Sequence, residues 1–256
     1  MTAAAARKPR HSHAPARVIG HRGAAGLAAE NTPAAFRKAA AIGVRWVEFD
    51  VHLSADGVPV IIHDDTVERT TDGKGKVAAL SLADLKRLDA GAWFGAGFRG
   101  ERIPTLAEML SLLRELDLGA VVEIKPSPGT EVATAEATLR MLLEQWPETL
   151  PPPMVSSFAR ESLERAHAVA PGIARGLLVR DLPKNWREEV DRLGCSAVHA
   201  SQRGLVAETV AAVTRAGLPL FAYTVNDAAR AAELFGWGVA AIFSDRPDLV
   251  LAAAPI

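Results

Sequence analysis

One cysteine, Cys195, is all that 256 residues provide, so no disulfide can form within the chain. That usage suits a reducing compartment. In its context, VDRLGCSAV, the residue is expected to be a small buried side chain. Neither sign of charge dominates: 29 basic residues against 30 acidic ones leave a net charge of -1. A duplex-binding face needs a basic stripe, and none is visible, so no nucleic acid partner is expected. No run reaches the ~18 apolar residues of a membrane span, and no stable membrane association is expected. Residues 1–16, MTAAAARKPRHSHAPA, lack the apolar core of ~7–15 residues that a secretion signal carries. Their Ala, Pro and basic content reads as a disordered tail, with His11 and His13 as solvated side chains. The expected location is the cytoplasm. Two nucleotide-binding signatures are missing as well: there is no GxxxxGK[ST], and no GxGxxG follows the first predicted strand.

What the chain does have is alternation. Short β-rich runs occur at 18–21, 46–51, 120–125, 154–157, 174–179, 197–200, 218–225 and 240–244, eight in all. Amphipathic stretches separate nearly all of them. One starts at Asn31-Thr32-Pro33, where Thr32 can cap and Pro33 suits the first helical position. Another, over 105–116, carries Leu106, Met109, Leu110 and Leu113 at helical spacing. Others are expected over 131–145, 160–169, 185–193, 205–216 and 227–234. Strand–helix alternation predicts a parallel sheet, and eight repeats predict a closed TIM (β/α)8 barrel, one domain over residues 17–256.

The segment 46–63, WVEFDVHLSADGVPVIIH, breaks the alternation. Glu48 and Asp50 stand two apart on a strand and therefore share a face. Asp56-Gly57 is a dipeptide that two-residue hairpin turns prefer. A turn centred there pairs Ala55 with Val58 and, further back, Asp50 with His63. The run 59–63 is too close for a parallel crossover, so it must return antiparallel as a hairpin arm. The connection 64–104 contains the turn Thr70-Thr71-Asp72-Gly73, a short helix near 82–88 and the loop GAWFGAGFRGERIP. Its length and its aromatics Trp93 and Phe94 suggest a packed lid.

Reactive groups of such barrels sit where strands end. Here those positions hold His21 and Arg22, Glu48 and Asp50, Glu123 and Lys125, Ser157 and Phe158, His199, Thr224 and Asn226, and Asp245. Glu48, Asp50 and Glu123 would repel one another in a barrel throat unless a cation lies between them. Hard oxygen ligands favour one divalent ion, Mg²⁺ or Ca²⁺. The alternative is that these carboxylates simply pair with Arg22 and Lys125. Two histidines beside such a centre suggest an acid and a base. His52 is expected to face solvent above the rim, His167 to lie on a helix surface, and His199 is a candidate for lining the pocket. Arg22 and Lys125 beside a cation make a site for a phosphate oxygen.

The motifs GHRG, ENT followed by AF, VEFDVHLSADGVPVIIHDDTVERTT, IPTLAE, VEIKP, SSF, AYTVN and IFSDRPD run in this order over residues 18–250. This pattern resembles the glycerophosphodiester phosphodiesterases, in particular their short bacterial cytoplasmic branch. The resemblance implies a βα barrel of the phosphatidylinositol-phospholipase-C type. It implies that Glu48, Asp50 and Glu123 hold the divalent metal and that His21 and His63 form the acid–base pair. It further implies Arg22 and Lys125 on the phosphate, and Phe158, Asn226 and Trp237 as outer substrate contacts. The connection 64–104 would be the family's insertion, which covers the active site and is short here. Two positions depart from the family pattern: Ala29 replaces the usual Pro before ENT, and Ala240-Ala241 replaces a common Asp-Gly. Neither belongs to the metal or acid–base set, and the second is expected at the rim near the glycerol group.

The implied reaction is metal-assisted hydrolysis of a small glycerophosphodiester to sn-glycerol 3-phosphate and an alcohol. The first nucleophile is either water or the neighbouring glycerol hydroxyl. A lysophospholipase D acting through an apolar groove of Trp93, Phe94 and Phe98 is an alternative on the same site. A catalytically silent binding protein is another, and the intact set of histidines and carboxylates argues against it. Headgroup, metal identity and oligomeric state are not specified by the sequence.

Overall fold

The computed structural model describes residues 16–253; the tail expected over 1–16 lies, but for Ala16, outside the described residues. The strands are β1 (Val18–Gly20), β2 (Trp46–Leu53), β3 (Pro59–Ile61), β4 (Gly119–Ile124), β5 (Met154–Ser157), β6 (Ala174–Val179), β7 (Ala197–Ser201), β8 (Leu220–Tyr223) and β9 (Ala241–Ser244). The helices are α1 (Pro33–Ala41), α2 (Leu82–Leu85), α3 (Leu106–Leu116), α4 (Glu131–Gln145), α5 (Arg160–Val169), α6 (Trp186–Leu193), α7 (Ala207–Arg215), α8 (Ala228–Trp237) and α9 (Pro247–Val250). Strand β1 pairs in parallel with both β2 and β9, which closes the barrel of eight parallel strands that alternation predicted. The ninth strand, β3, runs antiparallel to β2 outside the ring.

The apolar residues divide by the pleat. One set, including Ile19, Trp46, Val121, Met154, Phe221 and Phe243, packs as one inner cluster. Others, such as Val47, Phe49, Val122 and Ile124, meet Phe36, Leu106, Leu113 and Leu139 of the surrounding helices. Each such side chain taken fully from water contributes about 1.5–3 kcal/mol. Helix α1 begins with Thr32 at its N-cap and Pro33 in the first turn, but the Thr32 hydroxyl donates to Ala29 O at 2.7 Å rather than capping the helix.

The hairpin register differs from expectation by one residue. The pairs are Val51 with Ile61, His52 with Val60 and Leu53 with Pro59. Asp50 therefore faces Ile62, whose N–H donates to its carbonyl at 3.1 Å, and not His63. Ser54 is the cause. Its N–H donates to Val58 O, and its hydroxyl oxygen accepts from Val58 N, both at 3.0 Å, which closes a loop of Ala55, Asp56 and Gly57. Gly57 takes the left-handed conformation at φ 75° that ends such a three-residue loop. A one-residue slip would invert the faces of a strand. His63 escapes this because it lies past the end of β3, where the pleat no longer dictates direction.

The insertion packs on the outer side of the hairpin. Val67, Val77, Leu85, Ala90 and Ile103 pack on Val60 and Ile62 of the hairpin segment as one cluster. Ser81 and Thr105 each close a capping box, with Asp84 and Glu108, that starts α2 and α3. Trp93, Phe94 and Phe98 stack edge to face on one another. The cavities at the mouth are lined by Asp64 and Asp65 but by none of residues 66–104. The apolar outer side of the hairpin holds the insertion, and from it Arg69 reaches Asp64 and Glu30 beside the mouth. Among the described residues no helix is long and apolar enough to cross a membrane.

Candidate active site

At the C-terminal end of β1 the chain turns sharply through GHRG. A side chain at Gly20 would meet Gly23 O at 2.1 Å, and Gly23 (φ 86°) presses against Ala35. Arg22 itself is left-handed, at φ 50°. This turn aims His21 and Arg22 into the mouth. The Arg22 amide donates to Glu48 Oε2 at 3.1 Å, and its guanidinium meets Glu30 at 2.8 Å and Asp50 at 3.4 Å.

Both site histidines are held through Nδ1 by a carboxylate. His21 Nδ1 donates to Asp245 Oδ1 at 2.6 Å, which leaves Nε2 facing Glu48 Oε2 at 3.8 Å. Asp245 is fixed by Asn226, whose amide donates to Oδ2 at 2.8 Å. His63 Nδ1 donates to Asp64 Oδ1 at 2.5 Å, and its Nε2 accepts from the Lys125 ammonium at 2.8 Å. Burial lowers the His63 pKa, with Arg22 and Lys125 adding to the effect against Asp50 and Asp64. Asp64 is gripped in turn by Arg69, which also makes two 2.8 Å bonds to Glu30. Burial of Asp64 is outweighed by Arg69 and His63, which hold its carboxyl well below the usual range.

Between the imidazoles lie three buried carboxylates. Glu48 and Asp50 from β2 and Glu123 from β4 each offer an oxygen, and these atoms lie within 4.8 Å of one another. Glu48 Oε1, Asp50 Oδ1 and Glu123 Oε1 are buried without a hydrogen-bond partner. The second Asp50 oxygen is engaged, accepting from Asn31 Nδ2 at 2.8 Å. Burial, then the charges of Asp50 and Glu123, push Glu48 well above the usual carboxylate range. Burial and Asp50 push Glu123 up to about 7. Asp50 goes the other way: its burial is outweighed by Arg22, His63 and Lys125, which bring it down to about 2. Lys125 lies 3.5 Å from Glu123 and 3.8 Å from Asp50, so the simple ion-pair alternative is realised in part. Lys125 is one cation set against three carboxylates: it approaches Asp50 Oδ1 and Glu123 Oε1 without a hydrogen bond to either, and Glu48 Oε1 has no cation beside it. An unpaired buried charge is costly, and a hard divalent cation is the partner such a donor set fits.

Residues 21–249 match the glycerophosphoryl diester phosphodiesterase family. The chain belongs to that family. It is 35% identical to a glycerophosphodiester phosphodiesterase of Caldanaerobacter subterraneus over 91% of this chain and 96% of that one. A phosphodiesterase of Oleispira antarctica, solved in complex with its product sn-glycerol-3-phosphate, superposes with a TM-score of 0.91 at 41% identity, covering 93% of this chain and 96% of the other. A glycerophosphodiester phosphodiesterase of Thermotoga maritima gives 0.74 at 25% identity, over 95% and 100% of the two chains.

The remaining site residues of this phosphodiesterase fall into place unevenly. Phe158, 45% exposed, stands edge to face with Tyr223 at 6.2 Å and borders all three cavities at the mouth. Asn226 spends its amide on Asp245, while its oxygen accepts from Ser244 Oγ and the Asp245 and Arg246 amides. It positions the carboxylate behind His21. Trp237 is a correction: it sits at the end of α8 on the outside of the barrel, with the Arg230 guanidinium 4.8 Å over its ring, and lines none of these cavities. Helix α8 runs back from the mouth, so its last residue is carried away from the site. His52 is also corrected. It is buried, and its Nε2 lies 3.1 Å from His63 O, so it supports the His63 backbone. The Ala240-Ala241 departure lies at the start of β9, the end of the barrel opposite the mouth, with Ala241 in the inner core.

Sequence reasoning missed the roles of Asp64, Asp245, Glu30, Asn31 and Arg69. Asp64 follows His63 directly, and Asp245 ends the last strand. Both could have been found by asking which acceptor orients each histidine. The arc from Arg22 through Glu30 and Arg69 to Asp64 draws on residues from 22 to 69 and has no local signature.

Proposed function

We propose that this enzyme hydrolyses small glycerophosphodiesters to sn-glycerol 3-phosphate and an alcohol, with one divalent cation, Mg²⁺ or Ca²⁺, held by Glu48, Asp50 and Glu123. The observation that carries this reading is the set of three unpartnered buried carboxylate oxygens flanked by two oriented imidazoles. The product bound to the Oleispira antarctica relative supports the same substrate class. A bound cation supplies polarisation of a phosphate oxygen and offsets the charge that develops on it.

The protein's own groups do the rest. Arg22 and Lys125 draw the phosphate to the mouth. Asp245 keeps the proton of His21 on Nδ1, so Nε2 is free to take one from the nucleophile. His63 faces the departing alkoxide, with a proton within reach through the Lys125 ammonium at 2.8 Å. Phe158 packs against the substrate at the rim. We place the reaction in the cytoplasm on a free small-molecule substrate, a reading supported by the single unpaired, buried thiol. The aromatics Trp93, Phe94 and Phe98 supply no wall to the mouth, so the lipid-directed alternative loses the groove it needed.

The test is protein treated with EDTA, then resupplied with Mg²⁺ or Ca²⁺, and assayed on a panel of glycerophosphodiesters with products read by ³¹P NMR. Turnover should vanish and return with the ion. A cyclic phosphate in the time course would assign the first attack to the glycerol hydroxyl, and its absence to water. Full turnover in EDTA would sink the metal assignment.

A further inference from the structure

His199 sits on β7, 1% exposed, and the mechanism above does not use it. Its ring lies flat on Phe221 at 4.8 Å and 18°, with Phe243 tilted against it at 5.2 Å. Neither neighbour offers a hydrogen bond. Nδ1 and Nε2 are both buried and both without a partner, and among the described residues no other side chain has two such atoms. The barrel also makes room for this ring. A side chain at Gly176 would come within 2.5 Å of His199 Cε1 and Nε2, so β6 leaves the space that the imidazole fills. A phenylalanine at 199 would keep the stacking and avoid the cost of two unmatched polar atoms. The arrangement calls for a polar partner from the cavity that the ring borders.

That cavity, of about 160 Å³, is lined by His199 together with His21, Arg22, Glu48, Glu123 and Lys125. Its size separates it from two larger grooves that leave the mouth on either side of Phe158. One, of about 520 Å³, carries Asp64, Asp65 and Glu131, and the other, of about 650 Å³, carries Arg180 and Arg203. The open grooves suit the variable alcohol. The small inner cavity suits the part of the substrate that stays constant.

Resting on the proposed function, we propose that His199 is a specificity residue that hydrogen-bonds a hydroxyl of the substrate's glycerol moiety inside this cavity. Burial pushes its pKa down to about 3, so the ring is neutral at working pH and takes no part in proton transfer. A neutral imidazole presents one donor and one acceptor, which matches a hydroxyl. An anionic phosphate oxygen finds better partners in Arg22 and Lys125, which line the same cavity, and leaves the neutral ring to the glycerol hydroxyl.

The experiment compares sn-glycerol 3-phosphate with n-propyl phosphate, which keeps the phosphate and the carbon chain but lacks both hydroxyls. Affinities are measured by calorimetry in metal-supplemented wild type, H199F and H199Q. Wild type should prefer glycerol 3-phosphate by about 10- to 100-fold, the cost of leaving buried polar groups unmatched. H199F should lose that preference by weakening glycerol 3-phosphate alone, and H199Q should restore part of it. Equal affinities in wild type, an equal weakening of both ligands in H199F, or a preference undiminished in H199F would overturn the assignment. If H199F does not fold, wild type with ¹⁵N-labelled histidine decides. The ring signal that is missing from H199Q should shift with glycerol 3-phosphate and not with propyl phosphate, and an unmoved ring overturns the proposal. Wild type that hydrolyses no glycerophosphodiester would fail the proposed function and this inference with it. Wild type that hydrolyses glycerophosphocholine yet binds both phosphates equally would fail this inference alone.

Discussion

At the start of β6, on the floor of the barrel, Arg175 is 5% exposed and donates to the carbonyls of Ala170, Ile173, Leu193 and Gly194, and to His167 Nδ1. At the mouth, Arg22 is set among carboxylates that are themselves only half matched. The floor arginine closes the ends of α5 and α6, where helix carbonyls have no partners of their own. The mouth arginine leaves its neighbours wanting. Of the eleven buried, unpartnered side-chain atoms among the described residues, eight belong to Arg22, Asn31, Glu48, Asp50, His52, Glu123 and His199. Unmet polar demand is thus concentrated where chemistry is proposed and is absent around Arg175. The other three atoms, on Arg17, Thr138 and Arg165, line none of the cavities at the mouth.

Substitutions at the two ends should therefore have opposite signatures. The largest effect is expected from E123A or E48A. Either should lower kcat by about 10³-fold or more, while thermal stability in EDTA holds or rises because a mutually repelling carboxylate is gone. An E123A enzyme with unchanged rate and divalent affinity would break the comparison. H21A and H63A should each lower kcat by about 10²–10⁴-fold, measured at saturating substrate, and near-full activity in either removes that residue from the mechanism. D245N keeps the shape but replaces the acceptor that fixes His21, and kcat should fall roughly 10²-fold with KM little changed. At the floor, R175M should cost about 2–4 kcal/mol in urea unfolding with kcat within about twofold. A matching loss of kcat would show that the two ends are not separable.

The smallest effect is a pH dependence. The unfolded chain loses the Glu123 proton near 4.5 and the folded chain near 7, so in that interval the folded state binds more protons. Stability contributed by this group then falls as pH rises. E123Q cannot titrate. In EDTA its melting temperature should exceed that of wild type by a margin that widens from pH 5 to pH 8. A margin that narrows would show that Glu123 is not held protonated by its surroundings.

The barrel was legible because period-2 runs separated by period-3.6 runs leave few topologies, and the observed β1, β2 and β4–β9 follow that pattern. The carboxylate cluster was legible for the same reason. Glu48 and Asp50 share a face by pleat alone, and Glu123 stands opposite Asp50 in the β2–β4 register. The hairpin register was not, because the Ser54 side chain adds hydrogen bonds that lengthen the turn by one residue. Trp237 was misplaced because its position depends on the direction in which α8 returns. The packing of the insertion was not legible either, because its apolar residues answer to Val60 and Ile62, which periodicity alone does not pair with them.

Local covalent chemistry and spacing by themselves determined the strand–helix alternation, the family pattern and the identity of the charged residues at the strand ends. Only tertiary structure decided that Asp245 would meet His21 across 224 positions, that Arg69 would bridge to Glu30, and that His199 would be left with two unmatched nitrogens over Gly176. The physical reason is range. Pleat and helix periods act over a few residues, whereas hydrogen-bond partners and desolvation are set by groups that meet only when the ring of strands closes.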